Sequence, residues 1–311
     1  MMILSHPFVA IVVINWNGHR DTLACLTSLR ELDYDNFEIV LVDNGSDPND
    51  VRALRAGMGT VRLIEMAENT GFVTGNNAGI ALARQLGAEY VMLLNNDTTV
   101  APDLLMQLMD VITRDETIAA VGPTICYASD PEVIWSAGGS IDWRRGRTSM
   151  VLNGRRTPVS TDDSPADVDF LTGCAILVRT NVIDKVGGME PRFFAYYEET
   201  EWCVRMKRSG YRVLYVPRGK VWHKTPRDSR VFSPLVHYYM TRNRLLFLKL
   251  TGAGWRAWAH TILVDNLRTL ASWAIRPKWR HLKEHRAMMV RGILDYYRGC
   301  FGECPISTTP R

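Results

Sequence analysis

Along the first 120 residues, blocks of two kinds alternate. Short apolar, β-branched runs at Val9 to Ile14, Phe37 to Val42, Val61 to Ile64 and Tyr90 to Leu94 carry few polar residues, as strands buried on both faces do. Between them, apolar residues recur every three or four positions. Leu23, Leu26, Leu29 and Leu32 mark one predicted helix, and Ala78, Ala81, Leu82 and Leu86 mark a second over 76–86. A third opens at Pro102 and turns Leu104, Leu105, Leu108, Met109 and Ile112 inward, while Asp47 is a predicted N-cap. The alternation predicts an α/β fold: a mostly parallel twisted sheet with helices on both faces.

From about residue 125 the pattern loosens, and Gly138-Gly139, Arg144 to Arg147 and Thr157 to Asp167 are expected to form loops or short hairpins. Regularity returns with a buried strand over Phe170 to Val178, a helix over Glu198 to Ser209 and a strand over Tyr211 to Val216. Further on, Ala259, Ile262, Leu263, Leu267, Leu270, Ala271 and Ala274 keep helical spacing and lead into Arg276, Lys278, Arg280, Lys283 and Arg286. The expected organisation is a body over 1–235 divided near 122/123, a basic amphipathic helical tail over 236–298 and a flexible C-terminus over 299–311.

Composition agrees with a globular chain: 311 residues, 46% hydrophobic and 23% charged, which excludes disorder, collagen and a disulfide miniprotein. Charge adds more, because a net +4 conceals two regions. Residues 236–298 hold 12 Lys/Arg against 3 Asp/Glu, a local +9, whereas 1–235 carry −5 and 299–311 balance. A negatively charged partner is therefore expected for the tail. Four tryptophans (255, 258, 273 and 279) among its basic residues favour an anionic membrane surface, and the acidic body has no recognisable nucleic-acid module. The alternative is that the tail helices pack on the body or on a second subunit, giving a homo-oligomer.

Six cysteines are scattered without paired spacing, which suggests a reducing, cytoplasmic setting. Cys300 and Cys304 with His281 and His285 have neither the order nor the spacing of a compact zinc finger. No basic n-region suggests a signal peptide, and Trp258 to Ile275 is interrupted by Asp265, Asn266 and Arg268, unlike a spanning helix. Peripheral attachment at the inner face of a membrane is the expected location.

In a parallel open sheet, ligands bind beyond the carboxyl ends of the strands. Those ends are Asn15-Trp16-Asn17-Gly18, Asp43-Asn44-Gly45-Ser46 and Asn95-Asn96-Asp97, with Asn69-Thr70-Gly71 and Gly75-Asn76-Asn77 between the third and fourth strands. No G-x-G-x-x-G follows the first strand and no G-x-x-x-x-G-K-S/T occurs, which disfavours a dehydrogenase or P-loop ATPase. Trp16 offers a face for a base, Asp43 an acceptor for a base N–H, and Asp97 hard oxygen for a divalent cation on a diphosphate. The competing readings are core packing for Trp16, an ordinary turn for Asp43 and a helix-capping loop for Asp97. Farther on, Phe193 to Trp202 place Glu198, Glu199 and Glu201 behind an aromatic run. Apolar neighbours and like charge raise carboxyl pKa values and suit a general base, against the alternative of a solvated first helical turn. His223, after the last strand, is either a ligand or structural.

These segments, with Thr172-Gly173-Cys174-Ala175 and Gly187-Gly188-Met189 through Arg205, resemble glycosyltransferase family 2 over roughly residues 7–250. The family comprises inverting nucleotide-sugar transferases of GT-A fold, and the likeness is to its rhamnosyltransferase-like branch acting on cell-envelope glycans. The resemblance implies a nucleotide-sugar half over about 1–122 and an acceptor half over about 123–235. It implies that Asn15, Trp16, Asn17, Asp43, Asn69, Gly75, Asn76, Asn95 and Asn96 bind the nucleotide sugar. Asp97, the last carboxylate of a D-x-D element, and His223 would hold Mg or Mn. Glu199 would be the general base, with Glu198 and Glu201 beside it, and Gly173, Cys174 and Trp202 would lie on the acceptor side. A dTDP- or UDP-sugar donor and a glycan or lipid-linked acceptor are implied. Asn95 stands where the family has the first Asp of D-x-D, and Glu199 and Glu201 replace aspartates. The alternatives are a sugar nucleotidyltransferase, which expects a glycine- and basic-rich loop after the first strand, and a catalytically silent nucleotide-sugar-binding protein.

Overall fold

The computed structural model describes residues 6–158, 163–225, 233–279 and 281–305. Its strands are β1 Val9–Asn15, β2 Phe37–Asp43, β3 Arg62–Glu65, β4 Tyr90–Asn95, β5 Thr98–Val100 and β6 Ile118–Tyr127. They continue as β7 Asp130–Ser136, β8 Gly139–Asp142, β9 Arg147–Met150, β10 Ala166–Asp167, β11 Ala175–Arg179 and β12 Arg212–His223. The helices are α1 His19–Leu29, α2 Pro48–Gly57, α3 Gly71–Gln85, α4 Leu104–Ile112, α5 Thr180–Val186, α6 Glu198–Arg208 and α7 Pro234–Leu250. After α7 come α8 Trp255–Ala259, a π-helical stretch His260–Arg268, α9 Thr269–Ile275 and α10 Lys283–Arg298.

The central sheet runs β10-β12-β6-β11-β4-β1-β2-β3, with β5 on β12 and β7 on β6. Its first half is parallel: β4, β1, β2 and β3 pair in register, Ile14 against Asn95 and Val42, so the chemistry-bearing strand ends fall on one edge. The second half is mixed, because β11 runs antiparallel to both β4 and β6 while β6 and β12 are parallel. Val9 to Val13 and Val40 to Val42 are buried on both faces, with separate apolar clusters above and below the sheet. The loosely patterned middle forms the β8–β9 hairpin, and β6 is an apolar strand that helical spacing alone did not single out.

The tail is continuous with the body. The expected 235/236 boundary falls in the first turn of α7, and Tyr238, Arg242, Asn243, Leu246 and Phe247 of that helix are buried. Helix α10 folds back along α7 so closely that a Cβ on Gly292 would lie 2.7 Å from the Tyr238 carbonyl oxygen. Beyond it Cys304 is buried and its N–H donates to Tyr239 Oη at 2.9 Å, so the terminus is tied down that far; residues 306–311 lie outside the described residues. No helix among the described residues is long and apolar enough to cross a membrane.

Helix α3 lies on the sheet through small residues. A Cβ on Gly79 would sit 2.3 Å from Val12 Cγ1 and one on Gly75 2.4 Å from Ile14 Cδ1. Overpacking of this kind costs about 1–3 kcal/mol. Gly79→Ala is therefore expected to lower the unfolding free energy by that amount, read as a lower urea midpoint with an unchanged slope; an unchanged midpoint would show that α3 lifts freely from the sheet.

Candidate active site

The parallel strand ends first build a polar scaffold. Asn15 is fully buried, and its amide donates to Asp43 Oδ1 at 2.8 Å, Asp50 Oδ2 at 3.0 Å and Ser46 Oγ at 3.1 Å, while its Oδ1 accepts from Thr22 Oγ1 at 2.7 Å. Asp43 is only 2% exposed and also accepts from Ser46 Oγ and Ser46 N–H. Asn44 ties the next loop: its Nδ2 donates to Asn69 Oδ1 and Gly71 O, and its Oδ1 accepts from Thr70. Asn17 adopts a left-handed φ of 51° and accepts from Asp47 N–H at 2.7 Å. The turn this network holds leaves Trp16 53% exposed.

Two cavities adjoin in front of that scaffold. The first, about 370 Å³, is walled by Trp16, Asn44, Asn69 and Asn95 to Asp97 on one side and by Phe194 to Tyr196 with Tyr239 on the other. The second, about 550 Å³, is walled by Gly173, Cys174, Trp135, Glu198, Glu199 and His223. Phe72, Asn95, Ala195, Tyr196 and Val236 belong to both. A larger hollow of about 710 Å³ is walled by Thr157, Asp163, Tyr215 and Arg218, and none of the predicted site residues lines it; residues 159–162 of the expected loop lie outside the described residues.

Where the cavities meet, Asn95 Oδ1 at the end of β4 and Glu198 Oε2 and Glu199 Oε2 at the head of α6 are buried without hydrogen-bond partners, and Asp97 Oδ1 is buried with His223 beside it. His223 Nε2 stands 3.1 Å from Asp97 Oδ1. Burial opposes a proton on His223, but neighbouring Cys174 and Asp97 outweigh it and push its pKa up to about 10. The hard oxygens of Asp97 and Asn95 suit a divalent cation, and His223 adds a lone pair to them only where the cation displaces its proton. Among the described residues no group of three or more His, Cys, Asp or Glu side chains is placed to hold a metal ion by itself.

The three glutamates separate in role. Glu201 is buried but bound on both oxygens by Arg205, at 2.8 to 3.0 Å, and that guanidinium also reaches Gly188 O. Its charge is compensated by Arg205 and its role in the structure is to hold that guanidinium, so the expectation that Glu201 stands beside the base does not extend to a part in the chemistry. Glu198 and Glu199 have no such partner. Burial pushes Glu199 up to about 7, against helix-terminal N–H groups that favour its charge; burial and the neighbouring Glu199 push Glu198 well above the carboxylate range. The turn before them is strained: Phe194, Tyr196 and Tyr197 have φ of 66°, 71° and 76°. Each non-glycine residue so placed costs about 1–3 kcal/mol.

Trp16, Asn69, Asn95, Asn96, Asp97, Gly173, Cys174, Glu198, Glu199 and His223 thus face the cavities. Asn15, Asn17 and Asp43 stand behind the first cavity as scaffold. Gly75 lies against Ile14, and Asn76 donates to Phe72 O inside α3, so both pack rather than contact the space. Trp202 is fully buried and its Nε1 donates to Gly187 O at 2.8 Å; bulk and an inward-facing helix position make it core instead of acceptor wall. Sequence reasoning passed over Phe72, Trp135 and Tyr196 as walls. Only the aromatic run before Glu198 signalled one of them.

With that geometry in place, comparison with known proteins is direct. The family described as Glycosyl transferase family 2 matches residues 10–187. An N-acetylglucosaminyl-diphospho-decaprenol L-rhamnosyltransferase of Mycobacterium tuberculosis is 27% identical over 82% of this chain and 88% of its own. Rhamnosyltransferase WbbL of Escherichia coli is 24% identical over 72% and 86%. Two solved structures share the fold. Mannosyltransferase PcManGT from Pyrobaculum calidifontis, in complex with GDP-Man and Mn2+, superposes with a TM-score of 0.57 at 14% identity, over 94% of this chain and 88% of that one. GalNAc-T7, with UDP, GalNAc and Mn2+, gives 0.63 at 16% identity over 93% of this chain, which spans 55% of that longer one. The fold is of GT-A type.

The raised pKa of Glu199 has a stability consequence. The folded chain holds a proton there that the unfolded chain, at about 4.5, has already released, so between about 4.5 and 7 stability falls as pH rises. Glu199→Gln is expected to be more stable than the parent at about pH 8, by on the order of 1–3 kcal/mol, with the gap closing toward about pH 5. Parallel denaturation curves at all pH values would contradict this.

Proposed function

The chain belongs to glycosyl transferase family 2, and from that premise we propose that it is a metal-dependent, inverting transferase moving a sugar from a nucleoside diphosphate to a glycan or lipid-linked hydroxyl. One observation carries the reading. Buried oxygens of Asn95 and Asp97, suited to a cation and diphosphate, and one unpartnered carboxyl oxygen each on Glu198 and Glu199, suited to a base, lie on adjoining cavities that share a wall. The first cavity takes the donor, its base on Trp16. The second takes the acceptor.

Asp97, His223 and Asn95 would hold a Mg or Mn ion, which supplies positive charge against the departing diphosphate. Glu199 accepts the proton of the acceptor hydroxyl as its oxygen bonds to the anomeric carbon. The bond to the diphosphate oxygen breaks on the opposite face, and the nucleoside diphosphate leaves. One displacement inverts the centre and requires no protein nucleophile. A carboxyl titrating near 7 suits this task, since a base works best with a pKa close to the working pH. Likeness to rhamnosyltransferases favours a dTDP-linked deoxysugar, and a polyprenyl-diphosphate glycan is the acceptor class suggested by the relative from M. tuberculosis.

The C-terminal helices fit docking to an anionic membrane, at the inner face. Asp265, which interrupts the apolar pattern, faces the body and binds Arg147 of β9 and Arg244 of α7. The same segment exposes Trp255 at 75%, Ile275 at 73%, Leu263 and Leu267, with exposed Arg256, Arg268, Arg276 and Lys278 near them in the sequence. Apolar side chains framed by cations bind anionic lipid interfaces.

Two outcomes test these readings. Glu199→Gln is expected to retain thermal protection by a dTDP-sugar with Mn while turnover falls about 10² to 10⁴-fold; near-normal turnover would move the base to another group. Serine at 255, 263, 267 and 275 together is expected to abolish flotation with phosphatidylglycerol-containing liposomes. Undiminished flotation would show that this face is not the membrane anchor, and a parent that does not float would remove the membrane reading and leave a subunit contact for that face.

A further inference from the structure

The strained turn ahead of the proposed base is gripped by a single side chain from α7. Asn243 is fully buried, and its Nδ2 lies within hydrogen-bond reach of three carbonyls of that turn: Phe193 O at 2.8 Å, Ala195 O at 2.7 Å and Tyr196 O at 2.9 Å. Arg242, also fully buried, donates from Nη2 to Phe193 O at 3.1 Å and from Nε to Asn243 Oδ1 at 2.9 Å, which orients the amide. Among the described residues no carboxylate forms an ion pair with Arg242. Its Nη1 donates to Gly302 O at 2.7 Å and Tyr238 Oη at 3.2 Å; Tyr238 in turn donates to Asp295 Oδ2 at 3.0 Å, and Arg291 holds the same oxygen. The guanidinium also stands 5.1 Å from the centres of the Tyr238 and Tyr239 rings.

We infer that Arg242 and Asn243 are positioning residues for transfer: they lock the Phe194–Tyr197 turn in its left-handed form and so fix Tyr196 and the Glu198–Glu199 pair between donor and acceptor. Neither touches either cavity. Aromatic residues do not hold positive φ unaided, and carbonyls turned to one side of the chain need a common donor. The same turn meets the donor side, where a Cβ on Gly71 would lie 2.5 Å from Phe194 Cδ2 and Val73 N–H donates to Phe194 O at 3.2 Å. Release of the turn therefore disturbs the base and the seam between the cavities together. The C-terminal helix α10, through Asp295, becomes part of the support of the active site and not only a candidate surface anchor.

The catalytic half of this inference rests on Glu199 acting as base; the clamp itself does not, and the test separates them. Asn243→Asp keeps size and the acceptor for Arg242 but removes the donors to the three carbonyls, and Asn243→Ala removes the whole amide. Tyr238→Phe, which removes the hydroxyl linking Arg242 to Asp295 and leaves the Asn243 amide in place, serves if both Asn243 variants fail to fold. Hydrogen exchange of amides 193–201 is expected to rise selectively in a folded variant. Turnover is expected to fall about 10- to 100-fold, as small misplacements of a reacting group do, with the donor KM within about threefold of the parent's. Unchanged exchange at 193–201 overturns the clamp. Raised exchange with parental turnover overturns the positioning role while leaving the transferase reading intact. If the parent itself transfers nothing, that reading fails and exchange alone decides the clamp.

Discussion

A carboxyl buried without a counter-ion is the constraint around which this active site is arranged. Burial of an unpaired carboxylate is so costly that the group takes up a proton unless its surroundings compensate. Glu198 and Glu199 sit in that situation at the head of α6, while Glu201, one turn away, is neutralised by Arg205. The contrast within four positions shows that a cation was available to the helix and is used on the wrong side for Glu199. What remains near Glu199 is aromatic wall and the amides of the helix N-terminus. Such an environment leaves a carboxyl poised near neutrality.

The donor side follows the opposite rule. Asn15, Asp43, Asp50, Ser46 and Thr22 satisfy one another in a closed network, and Asn44 joins the Asn69–Gly71 loop to it. Closed polar networks rigidify, so the strand ends present Trp16 and the Asn95–Asp97 segment from a fixed frame. The proposed chemistry thus falls to Asp97 and to the open Asn95 Oδ1, and position to atoms fully used. Strand β11, inserted antiparallel between β4 and β6, brings Gly173 and Cys174 against the end of β4 and closes the space from the other side.

Much of this was legible in the sequence. Unbroken apolar runs and helical spacing located β1 to β4 and α1, α3 and α4, Asp47 marked only the start of α2, and the rule of strand ends pointed to Trp16, Asn95, Asn96 and Asp97. Less legible was anything set by long-range pairing. The antiparallel entry of β11 leaves no mark in a run that is apolar either way, and β6 reads as more of the same. Whether Asp43 faces ligand or scaffold depends on Asn15, twenty-eight residues earlier. Charge misplaced the end of the body: Arg242 and Arg244 count toward a basic tail, yet both are spent on carbonyls or on Asp265 inside the structure. Left-handed Phe and Tyr residues have no sequence signature, so the role of Asn243 emerges only once the turn is seen.

The account depends most on the protonation of Glu199. Carbon-13 NMR of glutamate-carboxyl-labelled protein, with Glu199→Gln to assign the resonance, measures it directly. The account predicts a transition near about 7, coupled to that of Glu198 at higher pH. A single transition in the ordinary carboxylate range, near about 4.3, would contradict it, because a solvated carboxylate there would be neither desolvated nor poised as a base.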